Sequence, residues 1–569
     1  MWFMWYFSAF PNQLEEMNKA LYTAIASIGL CLSGIATVSA QVTERPRPAS
    51  WKQLVKGAAF KDRFLPMPKG VLSSQVWGGS NVLPRYIDNG IEDAERSYWG
   101  GNILEGTDGS YHLFVCGWPE SSPKGHAQWP HSIVYRTTSK NRFGPYIIKD
   151  TIGSGHNPEV FRLQDGRLVL YCIDKNYVAT SLNGPWKEGK FEFDPRDRPI
   201  IEGLSNLSFA QRPDGSYLMV CRGGGIWVSQ TGLSTYRQIS NKRVYPDVAG
   251  EFEDPVIWKD HVQYNMIVND WLGRIAYYLR SKDGVNWITD PGEAYVPGVA
   301  FHEDGRLEDW FKFERIKILQ DSYGRAIQAN FAVIDTLKKE DKANDRHSSK
   351  NISIPLNPGV LITLLNKQFP GSNETIQIRL TAEPGFDPQQ DLDIESLRFG
   401  SSEQVNNGKG ARVVSTQKQG KDLLLRFSAE GHGLSAEEFA PKLLGKYRSG
   451  KLLFGYTRVP WVKYDAAILS ALRPAFKAGA GQTSLQIVVE NLGIAPSVES
   501  RLTVWVKTPE GKKEIAGGRV PPIVAYGKHI LDLTTSYQLE KGTAYAFIIE
   551  INDPTTTSSG FGFSTIPFN

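Results

Sequence analysis

The chain has 569 residues and a formal net charge of +4, from 64 basic and 60 acidic side chains. A balance this even, with lysine and arginine scattered rather than run together, excludes the electrostatic footprint of a nucleic-acid-binding surface. Fifty-four glycines and 15 tryptophans suit short aromatic strands joined by many turns, and the length allows three or four folding units at roughly 100–200 residues each.

In chain order, the first feature is a targeting segment over residues 1–40. Met17-Asn18-Lys19 precedes an apolar stretch from Ala20 to Val38, and Val38-Ser39-Ala40 supplies the small residues of a cleavage site. This predicts a signal peptide removed after Ala40, a secreted or periplasmic protein and no membrane span in the mature chain. Residues 1–16 do not fit the pattern, so Met17 is an alternative start. A retained membrane anchor and a lipoprotein anchored at Cys31 are the competing readings. Cys116, Cys172 and Cys221 then remain. Their odd number and wide spacing give neither a disulfide framework nor a zinc site.

Residues 41–95 read as a lead-in. Over residues 96–355 an internal repeat follows. Segments opening at Asn102, Asn157, Asn206, Glu253 and Phe313 each show an apolar strand, a turn and a second apolar strand, and the first four add a polar outer strand. The turn aspartates are Asp108, Asp165, Asp214, Asp260 and Asp321, and Asp-Gly between alternating strands is a hairpin signal. One such sheet cannot bury both faces, whereas sheets arranged radially bury one another. The prediction is an all-β chain with a five-bladed β-propeller. The three cysteines fall at equivalent places and read as small buried hydrophobes. Residues 356–465 alternate like a small β-sandwich. There Asp391, Asp393 and Glu395 read either as a solvated strand face or as a calcium cluster. Residues 466–569 read as an immunoglobulin-like sandwich.

The innermost strand of each blade lines the propeller axis, so the residues that start those strands converge at one mouth of the channel. They are Trp99 to Asn102, His156 to Glu159, Asn206, Glu253-Asp254 and Glu314-Arg315. A second cluster lies in the loop GWPESSPKGHAQWPHS, with Trp118, Glu120, Lys124, His126, Trp129 and His131. Tryptophan faces stack on sugar rings, and histidine transfers protons near neutral pH. Simple packing of a long loop is the plainer reading of the same residues. The polar segment from Asp335 to Leu356 reads as a solvated linker or as a loop over the pocket, with His347 and Lys350 turned inward.

With these residues in view, the chain resembles bacterial propeller carbohydrate-active enzymes over roughly residues 95–355. The Asp-Gly turns and the Glu-Asp-Pro opening are similar to those of five-bladed arabinanase-type glycoside hydrolases. The stretch 117–134 with His156-Asn157-Pro158 resembles ulvan and rhamnose–glucuronate lyases and a related dehydratase. The second resemblance implies β-elimination on a uronate-containing polysaccharide or oligosaccharide. His126, His131 and His156 would then move protons, with Tyr135 as a further acid, and Arg222 or Arg315 would hold the sugar carboxylate. The first implies hydrolysis between two carboxylates. The arabinanase pattern has carboxylates where this chain has Asn102, His156 and Asn206, so a hydrolase would rest on Asp254 and Glu314, with Glu159 or Glu120 as substitutes. Trp99, Asn102, Trp118, Trp129, Asn206, Glu314 and His347 would bind substrate. No cofactor is expected. A non-catalytic glycan-binding protein is the third reading.

Overall fold

The structure, a computed structural model, describes residues 42–569 except 78, 80–81, 197–203, 372–373, 479–482, 541–542, 553–558, 563–565 and 568–569. The signal-peptide expectation lies outside the described residues. No helix among the described residues is long and apolar enough to cross a membrane.

The chain is nearly all β. A short pair, β1 (Leu72–Ser73) and β2 (Arg85–Tyr86), precedes five small sheets. The first is β3 (Arg96–Glu105), β4 (Tyr111–Pro119), β5 (Ile133–Ser139) and β6 (Ile147–Ser154). The second is β7 (Glu159–Arg162), β8 (Leu168–Cys172), β9 (Lys175–Ala179) and β10 (Lys187–Gly189). The third holds β12 (Ser208–Gln211), β13 (Tyr217–Val220), β14 (Ile226–Ser229) and β15 (Tyr236–Gln238), with β11 (Phe193–Asp194) parallel to β15 at its edge. The fourth is β16 (Phe252–Lys259), β17 (Tyr264–Asp270), β18 (Ile275–Ser281) and β19 (Ile288–Thr289). The fifth is β20 (Lys312–Gln320), β21 (Ala326–Ile334) and β22 (Ser349–Pro355).

Each sheet turns at its aspartate by one device. The Oδ1 of Asp108, Asp165, Asp214, Asp260 and Asp321 accepts the backbone N–H two residues on, from Ser110, Arg167, Ser216, Val262 and Tyr323, at 2.8–3.1 Å. A short acidic side chain that closes its own turn explains why aspartate recurs there. The fifth sheet is completed from the lead-in. Asn89 bonds both ways to the Ser353 backbone, and Ile91 bridges Asn351. These contacts from the lead-in cover part of an edge that would otherwise stay open.

The inner strands β3, β7, β12, β16 and β20 neighbour one another in sequence order, and β20 returns to β3. They are strapped by a repeated contact. Asn102 Oδ1 accepts the Val160 N–H of the next inner strand, and Asn102 Nδ2 donates to the Val160 carbonyl. Glu159 Oε1 accepts the Phe209 N–H, and Ser208 Oγ accepts the Ile257 N–H. Lys317 reaches Glu159 from the fifth sheet. Apolar residues pack between the sheets, with Trp99, Phe114, Cys116 and Cys172 in one such cluster. Cys116, Cys172 and Cys221 are buried, and none of them forms a disulfide among the described residues.

Beyond Pro355 the chain forms a seven-stranded sheet over residues 362–456 and then two four-stranded sheets over residues 469–562, whose apolar faces share one core. Arg325 forks onto Glu383, and buried Arg196 pairs with Glu490, fixing these sheets to the first five. The calcium reading at Asp391, Asp393 and Glu395 meets a different arrangement. Asp391 accepts the Asp387 N–H in a turn, Glu395 is exposed, and the one carboxylate trio gathered at ligand spacing among the described residues is elsewhere.

Candidate functional site

At the mouth of the channel each inner strand carries, or is preceded by, a residue with φ between 50° and 65°: Gly100, Asn157, Asn206, Asp254 and Arg315. Glycine, asparagine and aspartate tolerate this left-handed conformation, whereas arginine rarely adopts it. The same left-handed turn therefore recurs at all five inner strands, with strain greatest at Arg315. Gly101 also needs its missing side chain, since a Cβ there would lie 2.0 Å from the Phe114 carbonyl oxygen.

The ring side chains form one hydrogen-bonded arc. Asn157 Nδ2 donates to Asn206 Oδ1 at 3.1 Å, and Asn206 Nδ2 donates to Glu253 at 3.0 Å and to Asp254 at 3.3 Å. Arg315 contacts Asp254 at 2.5 Å and Glu253 at 3.3 Å. Arg222 lies 3.9 Å from Glu253. Glu314, 1 % exposed, meets Lys338 at 2.5 Å and Lys312 at 3.6 Å. A cleft lined by Asn269, Trp271, Tyr295 and Lys312 reaches Glu314.

Burial acts first on both carboxylates, and their neighbours then separate them. Desolvation, with Glu253 and Glu314 nearby, pushes the Asp254 carboxyl up to about 7 against the pull of Arg315. Burial would also raise Glu314, but Lys338 and Lys312 overcome it and hold that carboxyl below the ordinary glutamate range. Two neighbouring acids are thereby placed in opposite environments.

The first two sheets supply the aromatic side of the mouth. His126 sits edge-on to Trp99 at 4.7 Å and Trp118 at 5.2 Å. His156 lies 4.8 Å from the half-buried Trp129. Their Nδ1 atoms are anchored, His126 on Ser349 at 3.1 Å and His156 on Ser132 at 2.9 Å. Burial lowers both imidazoles well below their usual value. Lys338 lowers His126 further, and Arg315 does the same for His156, so both are neutral at pH 7. Lys338 also lies over the Trp99 ring at 4.8 Å.

The structure thus brings together His126, His156, Trp99, Trp118, Trp129, Asn206, Asp254, Glu314 and Arg315, with Arg222 at the rim. Other residues singled out from the sequence lie apart from this group. His131 ends the 3₁₀ helix Gly125–His131 with an exposed side chain. Asn102 is held to Val160 in the straps below the mouth, and Glu159 is paired with Lys317 there. Tyr135 packs with Tyr98 and Ile103, away from the cluster that holds Trp99. His347 is tied to Asp335 at 3.2 Å, and Lys350 is buried against Glu92 at 2.8 Å. Lys312, Lys338 and Trp271 were not foreseen. For Lys312 the signal was its spacing, two residues before Glu314 on one face of a strand.

Among the described residues several buried polar atoms at the mouth have no hydrogen-bond partner: Asn157 Oδ1, Arg315 Nε, Arg222 Nε and Tyr295 Oη, and Glu314 Oε1 has only the longer ion contact with Lys312. Such atoms are costly to bury unsatisfied, so their convergence marks a place that receives polar groups from outside the chain. A larger cavity of about 730 Å³ opens at the other end of the channel, among Phe161, Phe209, Tyr217 and Trp258. Neither His126 nor His156 lines it; His261, Asp260 and Lys259 do, and Glu159 is paired there with Lys317.

No protein-family model matches the chain, and no curated protein matches it. Among solved structures it is similar to a thermostable family-43 glycoside hydrolase, at 13 % identity over 46 % of this chain and 90 % of that one, with a TM-score of 0.28. It is also similar to an α-L-arabinofuranosidase from Lactobacillus brevis, at 10 % identity over 46 % and 91 %, TM-score 0.31. A point mutant of the family-43 protein BlXynB from Bacillus licheniformis aligns at 9 % identity over 82 % and 89 %, TM-score 0.32.

Proposed function

We propose that the chain is a secreted, five-bladed propeller enzyme with two sandwich units behind it, and that it hydrolyses a carbohydrate at the mouth of the channel. The observation that carries this reading is the pair Asp254 and Glu314. They stand on neighbouring inner strands, and their surroundings raise the first carboxyl and lower the second. Glycoside hydrolysis needs that combination, an acid for the leaving oxygen and a carboxylate opposite it. Trp129 offers a face for a sugar ring. Arg222 and Arg315 suit an acidic sugar, since a guanidinium binds a carboxylate as a fork.

A second reading, β-elimination, is favoured by the neutral histidines beside Arg315 and Lys338. A neutral imidazole is ready to accept the C5 proton of a uronate whose carboxylate a cation holds.

One assay separates the two. The purified protein is incubated with uronate-containing and neutral polysaccharides and their oligosaccharides, and reducing ends and ultraviolet absorbance are followed together. Reducing ends without a new absorbance support hydrolysis. A growing absorbance from an unsaturated uronate overturns it in favour of elimination. In the same assay His156→Ala should cost about tenfold or less under hydrolysis, and about 10²- to 10⁴-fold under elimination.

A further inference from the structure

Two loops meet beside the histidine pocket. One follows β4 and carries Glu120 and His126. The other joins β21 to β22 and carries Lys338, Asp341 and Asp345. They touch closely, because a Cβ on Gly125 would lie 1.9 Å from the Asp341 carbonyl oxygen, and the Asn344 N–H donates to the Glu120 carbonyl at 3.2 Å. At this junction one carboxylate oxygen from each of Glu120, Asp341 and Asp345 lies within 4.8 Å of the other two.

Asp341 is the decisive member. Its side chain is 1 % exposed, and neither carboxylate oxygen has a hydrogen-bond partner. The backbone N–H of His126 faces it and favours its ionised form. Among the described residues no lysine or arginine pairs with any of the three acids. Glu120, 3 % exposed, is held in place by the hydroxyls of Ser97 at 2.6 Å and Ser348 at 2.9 Å. Asp345 is oriented by the N–H groups of Lys342 and His347.

Buried, unpaired like charges are strongly disfavoured. A proton shared between two carboxyls would draw their oxygens into hydrogen-bond contact, and Asp341 makes none. The oxygens instead stand at a separation that a cation can bridge. Two oxygens each about 2.3–2.6 Å from a calcium ion lie at most about 5 Å apart. All three donors are hard oxygens, with no nitrogen or sulfur among them, which suits calcium rather than zinc.

We propose that Glu120, Asp341 and Asp345 form a calcium site that fastens the loop of His126 to the loop of Lys338. The site is separate from the mouth and independent of which reaction occurs there. Its role is positional: it fixes the two loops that bring the imidazole and the ammonium to the mouth.

The test is calorimetric titration of CaCl₂ into the full chain after removal of divalent ions with EGTA. One ion per chain is expected, with Mg²⁺ much weaker, because a magnesium site demands a tighter octahedron. Calcium should raise the melting temperature, and hydrogen exchange should slow in peptides spanning 120–131 and 335–348. Asp341→Asn, which keeps the side-chain shape, should weaken calcium binding by at least tenfold. In EGTA it should melt at or above the unsubstituted protein, since it removes a buried charge from the trio. That sign keeps the test readable without any activity. Absence of binding at millimolar calcium, or an Asp341→Asn chain that binds like the unsubstituted one, overturns the site.

Discussion

Two levels of the same five inner strands bury comparable polar side chains and use them differently. At the mouth stand Asn157, Asn206, Asp254, Glu314 and Arg315. Just inside the channel stand Asn102, Glu159, Ser208 and Lys317. The lower level is closed: Asn102 is bonded on both sides of its amide, and Glu159 answers Ser208, Phe209 and Lys317. The upper level is open: among the described residues Asn157 Oδ1 and Arg315 Nε have no hydrogen-bond partner, and Glu314 Oε1 has only a 3.6 Å contact with Lys312. It also holds the displaced carboxyl of Asp254. Burial and charge do not distinguish a strap from a site, but a full account of hydrogen-bond partners does.

If that division is right, the two levels respond to substitution in opposite ways. The largest effect belongs to Glu314→Gln. It removes a charge but little volume, and turnover should fall about 10²- to 10⁴-fold with substrate binding largely retained, as reducing-end kinetics would show. Glu159→Gln on the lower level should leave turnover per folded molecule nearly unchanged. It strands a largely buried Lys317 and should cost about 3–5 kcal/mol of stability, read from the denaturant midpoint. A reversal, with Glu159→Gln inactive yet stable, would erase the distinction between the levels.

The pH dependence sharpens the same comparison. Asp254 has a raised carboxyl, so it protonates more readily in the folded chain than in the unfolded one. Its contribution to stability is complete below the ordinary aspartate value of about 3.9 and is lost as pH rises toward about 7. His126 and His156 act in the other direction. Their lowered values mean that stability is present above the ordinary histidine value of about 6.5 and declines as pH falls below it. Hydrolysis with Asp254 as the acid should fade as pH rises through about 7, and Asp254→Asn should abolish that limb along with most turnover. Activity that has already risen below pH 6.5 and stays level through about 7 would fit a neutral histidine base instead.

The repeated turns were legible in the sequence because an aspartate closes each turn with its own neighbours, a relation that spans two residues. The mouth was legible in part for a similar reason: each inner strand begins where its turn spacing says it must. Partnership across the ring was not legible. Glu159 is matched by Lys317 from a sheet 158 residues away in the chain, and Glu314 receives Lys338 from a long connection that reads equally as a solvated linker or as a loop over the pocket. Lys350 looked free to turn inward, yet it is held by Glu92 of the lead-in. Local periodicity carries the element and its face, whereas the choice between strap and site depends on residues that only closure of the ring brings together.

The smallest expected effect tests the histidine loop itself. His126 and His131 are five residues apart in one loop and read alike in sequence, but one is buried between two tryptophans and the other is exposed at the end of a 3₁₀ turn. A helix of this tighter kind places residues three apart on one side, so a separation of five carries His131 off the face that seats His126. His131→Ala should therefore change stability by no more than about 0.5 kcal/mol and leave turnover and KM unaltered. A hundredfold loss from this exposed residue alone, at unchanged melting temperature, would mean that the loop folds inward on substrate and that the mouth has a histidine wall beyond the one described.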